Sequence, residues 1–369
     1  MSKDTRIAGI DHLRAIAALA VLAAHLVGLV FMSPAPGRAA LSPQWQHGFN
    51  GINVSLGGFG VGLFFVLSGL CIHLPAARGR AFEAGSYFAR RFRRIYPPHA
   101  IVLLASCALT LAIDPARLGF PSRMMSQPTW GQFFAHVLMI HSFFRSTIYS
   151  INGILWTIAI ETHFYLLYPL LLAARRRFSM SQIAAGLLLL SLVSRVCKRY
   201  LFPSSEFVVD ESFLGRWWEW ALGCVVAEAV VAAPRRPLDG RGWIALLAAM
   251  FVALASSLLP VPKMATVLLT PPLYALVVYF WASSSTTGWA GLDRSLYAVG
   301  FRSYSLYLTH PVALLLARAL GAPPASELLL AVVSCTVVCL GFFRYCELPF
   351  MAPVQRPLAG APVRTAELP

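Results

Sequence analysis

Charge is what this sequence has least of. Aspartate, glutamate, lysine and arginine together make up only 12% of its 369 residues. A soluble domain carries about a quarter, so the chain lacks the polar surface to cover itself in water. Acidic residues are the scarcer sign, 15 against 30 basic ones. The seven cysteines fall mostly inside apolar runs and lack paired metal-ligand spacing, so they predict neither a disulfide framework nor a metal site. No internal repeat, low-complexity tract or soluble domain is visible. No small-residue cleavage site comes after the first apolar segment, which therefore reads as a retained helix and not as a signal peptide.

Hydrophobic residues fill that space: 58% of the chain, with a mean hydropathy of +0.67. Apolar stretches of helix-spanning length recur from end to end, which predicts an all-α, polytopic integral membrane protein. The formal net charge of +15 is almost all arginine. On a soluble protein it would suggest nucleic acid; here it reads as loop charge that fixes topology, with no nucleic-acid partner.

Ten helices are expected, at Ile10 to Val30, Val54 to Ala76, Ile95 to Ile113, Ile151 to Ala173 and Ser181 to Leu201, then at Phe213 to Ala233, Gly242 to Leu259, Met264 to Ala282, Leu296 to Arg318 and Glu327 to Tyr345. The segment from Arg78 to Arg94 is the densest in arginine and is placed in the cytoplasm, with the loop from Phe31 to Asn53 outside. Arg175 to Arg177 and Arg236 then also face inward, provided that Trp130 to Ser150 does not cross the bilayer. That stretch is expected to be short and interfacial or re-entrant, which suits His136 and His141. Both termini are cytoplasmic in this scheme. Residues 1–350 form one transmembrane domain, and the proline-rich 351–369 a disordered cytoplasmic tail. Lys198 and Arg199 lie at an outer end against the rule, where snorkelling accommodates them.

Polar groups inside these apolar runs are the candidates for chemistry. "RAIAALAVLAAH" places Arg14 and His25 eleven positions apart, about three turns plus 20°, so both leave one helix face about 16 Å apart along the axis. "GGFGVGLFFVLSGL" opens with close-set glycines and puts Ser68 mid-helix, where glycine admits a neighbouring backbone or a ligand. "ARRFRRIYP" sets four arginines, Arg90, Arg91, Arg93 and Arg94, before a helix, with Tyr96 close behind. Orientation alone needs fewer, and guanidinium groups suit bidentate phosphate contacts. "LWTIAIETHFYLLYP" buries Glu161, which must pair with an arginine or histidine or keep its proton. "SYSLYLTHP" puts His310 beside a proline, as a site residue or as a hydrogen-bonded kink.

In this order and spacing, these stretches and the final "CELPF" resemble the bacterial membrane acyltransferase-3 family, whose members O-acylate cell-envelope glycans and some small molecules. The likeness covers nearly the whole chain. His12 stands where glycine is usual and Thr309 where an aromatic is common. Many relatives carry an appended extracytoplasmic domain; this chain is expected to have none, since it stops soon after its tenth helix. The resemblance implies that the family's essential arginine and histidine fall on Arg14 and His25, and its paired arginines on Arg91 and Arg94. It implies acyl-CoA, by default acetyl-CoA, as donor from the cytoplasm and no metal. The acceptor it implies is a hydroxyl of a glycan, glycolipid or small molecule, at a bacterial inner membrane.

A division of labour is then expected. Arg91 and Arg94, with Arg90, Tyr96 and Ser68, hold the donor, and its pantetheine arm carries the thioester toward His25. His25, as a neutral imidazole, takes the proton of the attacking hydroxyl. Ser68 or a glycine-helix amide steadies the oxyanion. Arg14 and Glu161 assist, Glu161 by orienting His25 or a substrate hydroxyl. An acyl-histidine route stays open. The rival reading is a proton-coupled transporter with His25, Glu161 and His310 as its relay, although no inverted repeat accompanies it.

Overall fold

The computed structural model describes residues 9–32, 42–232, 240–255, 263–283, 290–321 and 324–351. The expected disorder of 351–369 falls, apart from Met351, outside them. Among the described residues the fold is all helical, without a strand. The first six helices are α1 (Gly9–Val27), α2 (Pro43–Ala77), α3 (Ala84–Ala112), α4 (Trp130–Val137), α5 (Leu155–Arg175) and α6 (Met180–Tyr200). The other six are α7 (Phe213–Ala232), α8 (Gly240–Ala255), α9 (Lys263–Ser283), α10 (Ala290–Phe301), α11 (Ser303–Ala319) and α12 (Pro324–Phe342).

Among the described residues, seven helical segments are long and apolar enough to cross a membrane: those of α1, α2, α3, α5, α6, α9 and α12. That is fewer than the ten expected. α7 carries Arg216, Glu219 and Glu228, and α8 and α11 have only 16 and 17 residues.

Three boundaries depart from the sequence-based expectation for physical reasons. α2 starts well before Val54, with Pro43 in its first turn, a position where the missing N–H costs nothing. α3 starts at Ala84 and not at Ile95, so the arginine cluster is helical and not a loop. The single helix expected from Leu296 to Arg318 is two, because Arg302 leaves helical geometry at φ −104°, ψ 7° and becomes the N-cap of α11.

α2 is the central helix, and its glycines set how closely its neighbours approach. A Cβ on Gly69 would run into the backbone carbonyl of Trp220, and one on Gly223 into that of Val66. α2 and α7 therefore touch backbone to backbone, the packing that small residues permit in membranes. Trp220, Leu63, Leu67 and Leu70 close the core around that contact, fully buried.

Among the described residues between α3 and α5, no helix is long and apolar enough to cross a membrane. α4 has eight residues, about 12 Å of helix, started by a Thr129–Gln132 capping box. The stretch after α4 is irregular yet buried, including His141, Ser142, Ile151 and Asn152, with left-handed backbone at Met139 (φ 60°) and Ile151 (φ 62°). Irregular backbone at membrane depth is tolerated when protein surrounds it. Three bonds hold this segment to α3: Tyr96 donates to the Val137 carbonyl at 3.2 Å, His99 Nε2 to that of His136 at 3.3 Å, and Asn152 Nδ2 to Ser106 Oγ at 3.1 Å. His136 and His141 stack face to face, 3.7 Å between ring centroids. Lys198 is also explained, since its ammonium donates to the Phe202 carbonyl (3.0 Å) and the Ser205 hydroxyl (2.8 Å) beyond the end of α6.

A candidate active site between an arginine cavity and a histidine pair

α1, α2, α3, α5, α10 and α11 enclose a cavity of about 430 Å³, within the usual range for small-molecule sites. Arg14, Ser68, Arg91, Arg94 and Glu161 all line it. Segments far apart in the chain thus converge on one space.

The helical start of α3 sorts its arginines. Arg91 and Arg94, three residues apart, share the face turned to the cavity, while Arg90 and Arg93 point outward and are exposed. Arg90 therefore stands away from the cavity. Tyr96 does too: its hydroxyl goes to Val137 and its ring stacks on Phe92 at 5.0 Å.

Each cavity arginine has a different setting. Arg14 reaches Asp11 Oδ1 and Cys71 Sγ, both at 3.4 Å. Arg94 forms an ion pair with Glu347 Oε1 at 2.5 Å and lies over the Tyr304 ring at 5.4 Å. Arg91 lies over the Tyr165 ring at 5.8 Å, and its buried Nε has no hydrogen-bond partner. No carboxylate forms an ion pair with Arg91 among the described residues, although Glu161 lines the same cavity.

Glu161 pairs with neither arginine nor histidine. It accepts from Ser68 Oγ at 2.7 Å and from the Tyr165 hydroxyl, and Ser68 Oγ in turn accepts from Trp220 Nε1 at 3.1 Å. Two sequence-based expectations change with this. The Ser68 proton is spent on Glu161, so Ser68 is no free oxyanion donor. Glu161 sits with the arginines and bonds these hydroxyls, and His25 is not among its partners.

His25 does not line the cavity. Its Nδ1 lies 2.9 Å from Nε2 of His310, with ring centroids 4.8 Å apart. His310 is buried, so a histidine that could have been a mere kink residue is half of a pair. One turn earlier on α11, Tyr307 lines the cavity and meets the His310 ring edge-on at 5.9 Å. Its hydroxyl bonds Thr157 Oγ1 at 2.8 Å. Tyr307 is thus the wall between the two polar centres.

Sequence reasoning assigned no role to Glu347, Cys71 or Tyr307. Glu347 lies in the quoted "CELPF", on a π-helical turn (Phe343–Glu347), with its second oxygen accepting from Ser305 Oγ. An acid fully inside an apolar segment was the available signal.

A helical fold with several apolar spanning helices, and an arginine-lined cavity next to paired imidazoles, defines a class: a multi-pass membrane protein. The particular family emerges from comparison, since residues 7–344 match the acyltransferase-3 family profile, described as an acyltransferase domain. The chain belongs to that family. It is similar to Acyltransferase MdmB of Streptomyces mycarofaciens, 25% identical over 83% of this chain and 78% of that protein. It is also similar to YrhL of Bacillus subtilis (strain 168), which carries the name putative peptidoglycan O-acetyltransferase, 28% identical over 60% of this chain. The shared region is 33% of YrhL, so the chain spans about a third of that relative. No solved structure matches the chain.

Proposed function

We propose that this protein is a membrane O-acyltransferase that moves an acyl group, by default acetyl, from acyl-CoA to a hydroxyl of a glycan, glycolipid or small molecule. One observation carries the reading: Arg14, Arg91 and Arg94 line a single cavity whose far wall, Tyr307, abuts the His25–His310 pair. The names of both relatives agree with acyl transfer, and that of YrhL with transfer to oxygen. The topology we propose has ten spans, both termini in the cytoplasm and the arginine end of the cavity on that side, in a bacterial inner membrane.

The donor's phosphates bind at Arg91 and Arg94, where guanidinium forks match phosphate oxygens. Unpaired Arg91 supplies the net attraction. The slender thioester arm then fills the apolar part of the cavity, along Phe64, Phe65 and Ile158, toward Tyr307. His25 is half-buried and lies off the cavity, so the acceptor approaches it from the other side. His25 takes the hydroxyl proton as the oxygen forms its bond to the thioester carbonyl carbon. The carbon–sulfur bond breaks, and the proton passes from His25 to the coenzyme A thiolate. The transporter relay fits less well, because Glu161 bonds Ser68 and Tyr165 while His25 bonds His310.

The test is acyl transfer by purified protein in proteoliposomes. His25→Ala is expected to abolish turnover while the protein stays folded, and Arg91→Ala and Arg94→Ala to weaken coenzyme A binding. Near-normal transfer by His25→Ala removes the base assignment, and unchanged affinity in both arginine variants returns them to a topological role.

A further inference from the structure

The bond between the two histidines has a direction that elementary hydrogen-bond chemistry fixes. His310 Nδ1 lies 3.2 Å from the backbone carbonyl of Leu306, one turn earlier on α11. A carbonyl only accepts, so His310 Nδ1 carries the hydrogen. In a neutral imidazole the other nitrogen, Nε2, is then bare and accepts. Nε2 faces His25 Nδ1 at 2.9 Å, and one hydrogen must lie between them, so His25 Nδ1 supplies it. The Val21 carbonyl, one turn earlier on α1, also accepts from the His25 ring. His25 Nε2, on the edge opposite Nδ1, then keeps its lone pair, and no side chain among the described residues bonds it. Catalytic histidines work this way elsewhere: a group behind the ring sets the tautomer, and the wrong tautomer costs most of the rate.

We infer that His310 is a positioning residue that holds His25 as its Nδ1–H tautomer, leaving Nε2 to accept the proton of the acceptor hydroxyl. The chain of command starts at a backbone carbonyl, Leu306, where serine hydrolases use a carboxylate. A neutral carbonyl suits this depth because it sets the tautomer without adding a buried charge. The inference rests on the acyl-transfer reading for its purpose, but not for its geometry.

Two measurements on the full-length protein in lipid nanodiscs test it. In ¹⁵N-histidine-labelled protein, two-bond nitrogen–proton correlation spectra distinguish the two tautomers, with the His25 and His310 signals assigned by their loss in His25→Gln and His310→Gln. Both rings are expected as Nδ1–H. A His25 ring protonated on Nε2 overturns the inference, whether or not acyl-CoA is the donor. If the tautomers are as expected and no acyl-CoA is consumed, the donor reading falls while the histidine relay stands. In the kinetic arm, His310→Phe is expected to lower kcat about 100-fold with KM for the donor nearly unchanged. His310→Gln, whose amide oxygen can accept from His25, restores much of the loss. Equal turnover in wild type and His310→Phe, or a Gln variant as poor as the Phe variant, refutes the role.

Discussion

Glu347→Gln tests the electrostatics of the cavity most directly. The Glu347 side chain is fully buried and that of Arg94 is 31% exposed, with 2.5 Å between their charged atoms. At an effective dielectric constant of about 20, Coulomb's law gives a gross attraction of about 7 kcal/mol at that separation. Desolvation of both ions offsets much of this, and breaking such a pair by removing one partner typically costs about 3–5 kcal/mol. Water still reaches Arg94, which places the cost near the lower end, about 3 kcal/mol. The glutamine keeps the shape but removes the negative charge that now answers Arg94. Donor affinity is expected to rise about tenfold, the equivalent of about 1.4 kcal/mol, because the Arg94 charge then faces the donor phosphates without a carboxylate partner. Stability is read from denaturant titration in nanodiscs, and affinity from acyl-CoA binding to the same samples. The companion variant replaces both partners, Arg94→Met with Glu347→Leu. Stability should return to within about 1 kcal/mol of wild type, since an apolar pair avoids the desolvation penalty, while donor binding falls below that of wild type because the Arg94 guanidinium is gone. A double variant that remains as unstable as Glu347→Gln refutes the electrostatic account. One that binds acyl-CoA like wild type refutes the role of Arg94.

Three further predictions concern the same frame. Cys71 lines the cavity beside Arg14, so in a variant with the other six cysteines replaced, maleimide labelling of Cys71 should slow as acyl-CoA occupies the site; an unchanged rate at saturating donor places the donor elsewhere. Gly69→Ala should destabilise by about 1–3 kcal/mol because its methyl meets the Trp220 carbonyl, whereas Gly58→Ala, whose methyl meets nothing, should not; equal unfolding curves contradict the α2–α7 packing argument. His136, outside the spanning helices, is held by burial at about 4, below the usual histidine value of 6.5. The unfolded chain takes up this proton below 6.5 and the folded protein only near 4, so His136 contributes stability above that window that is lost as pH falls through it; His136→Gln should flatten the acid limb, and an unaltered limb assigns it to other groups.

Apolar runs reveal where lipid demands a helix, and by that rule most of the helices were legible. Hydropathy stops at the membrane edge, however, and backbone hydrogen bonding does not. That is why the helical stretch of α2 before Val54 and that of α3 before Ile95 were not visible in the sequence. The error at α3 bears on function. In a loop, the arginines between Arg90 and Arg94 are interchangeable. On a helix, geometry divides them into an inward pair and an outward pair, and only Arg91 and Arg94 meet the cavity. The break at Arg302 was illegible for a related reason: an apolar pattern continues across it, and only packing of α10 against α1, where Gly300 meets the Asp11 backbone, interrupts the helix.

The polar groups themselves were legible, but their pairings were not. Arg14, His25, Glu161, Arg94 and His310 stand out singly because an ionisable group in an apolar run needs a reason. That reason depends on residues 93 positions away for Ser68 and Glu161 and 285 positions away for His25 and His310. The structure divides the expected single site into two centres. One gathers Arg14, Arg91 and Arg94 in a cavity, with Glu161 held by hydroxyls and in no ion pair with Arg91. The other is the His25–His310 pair, and His25 lies outside that cavity. Such a division suits a reaction whose donor is a polyanion and whose base must stay neutral. Had Glu161 paired with Arg91, the donor would lose its attraction; had it paired with His25, the imidazole would be drawn toward the protonated form that cannot accept a proton. Keeping the carboxylate on Ser68 and Tyr165 leaves Arg91 and His25 without it, and in the proposed reaction Tyr307, between the two centres, is where the thioester ends.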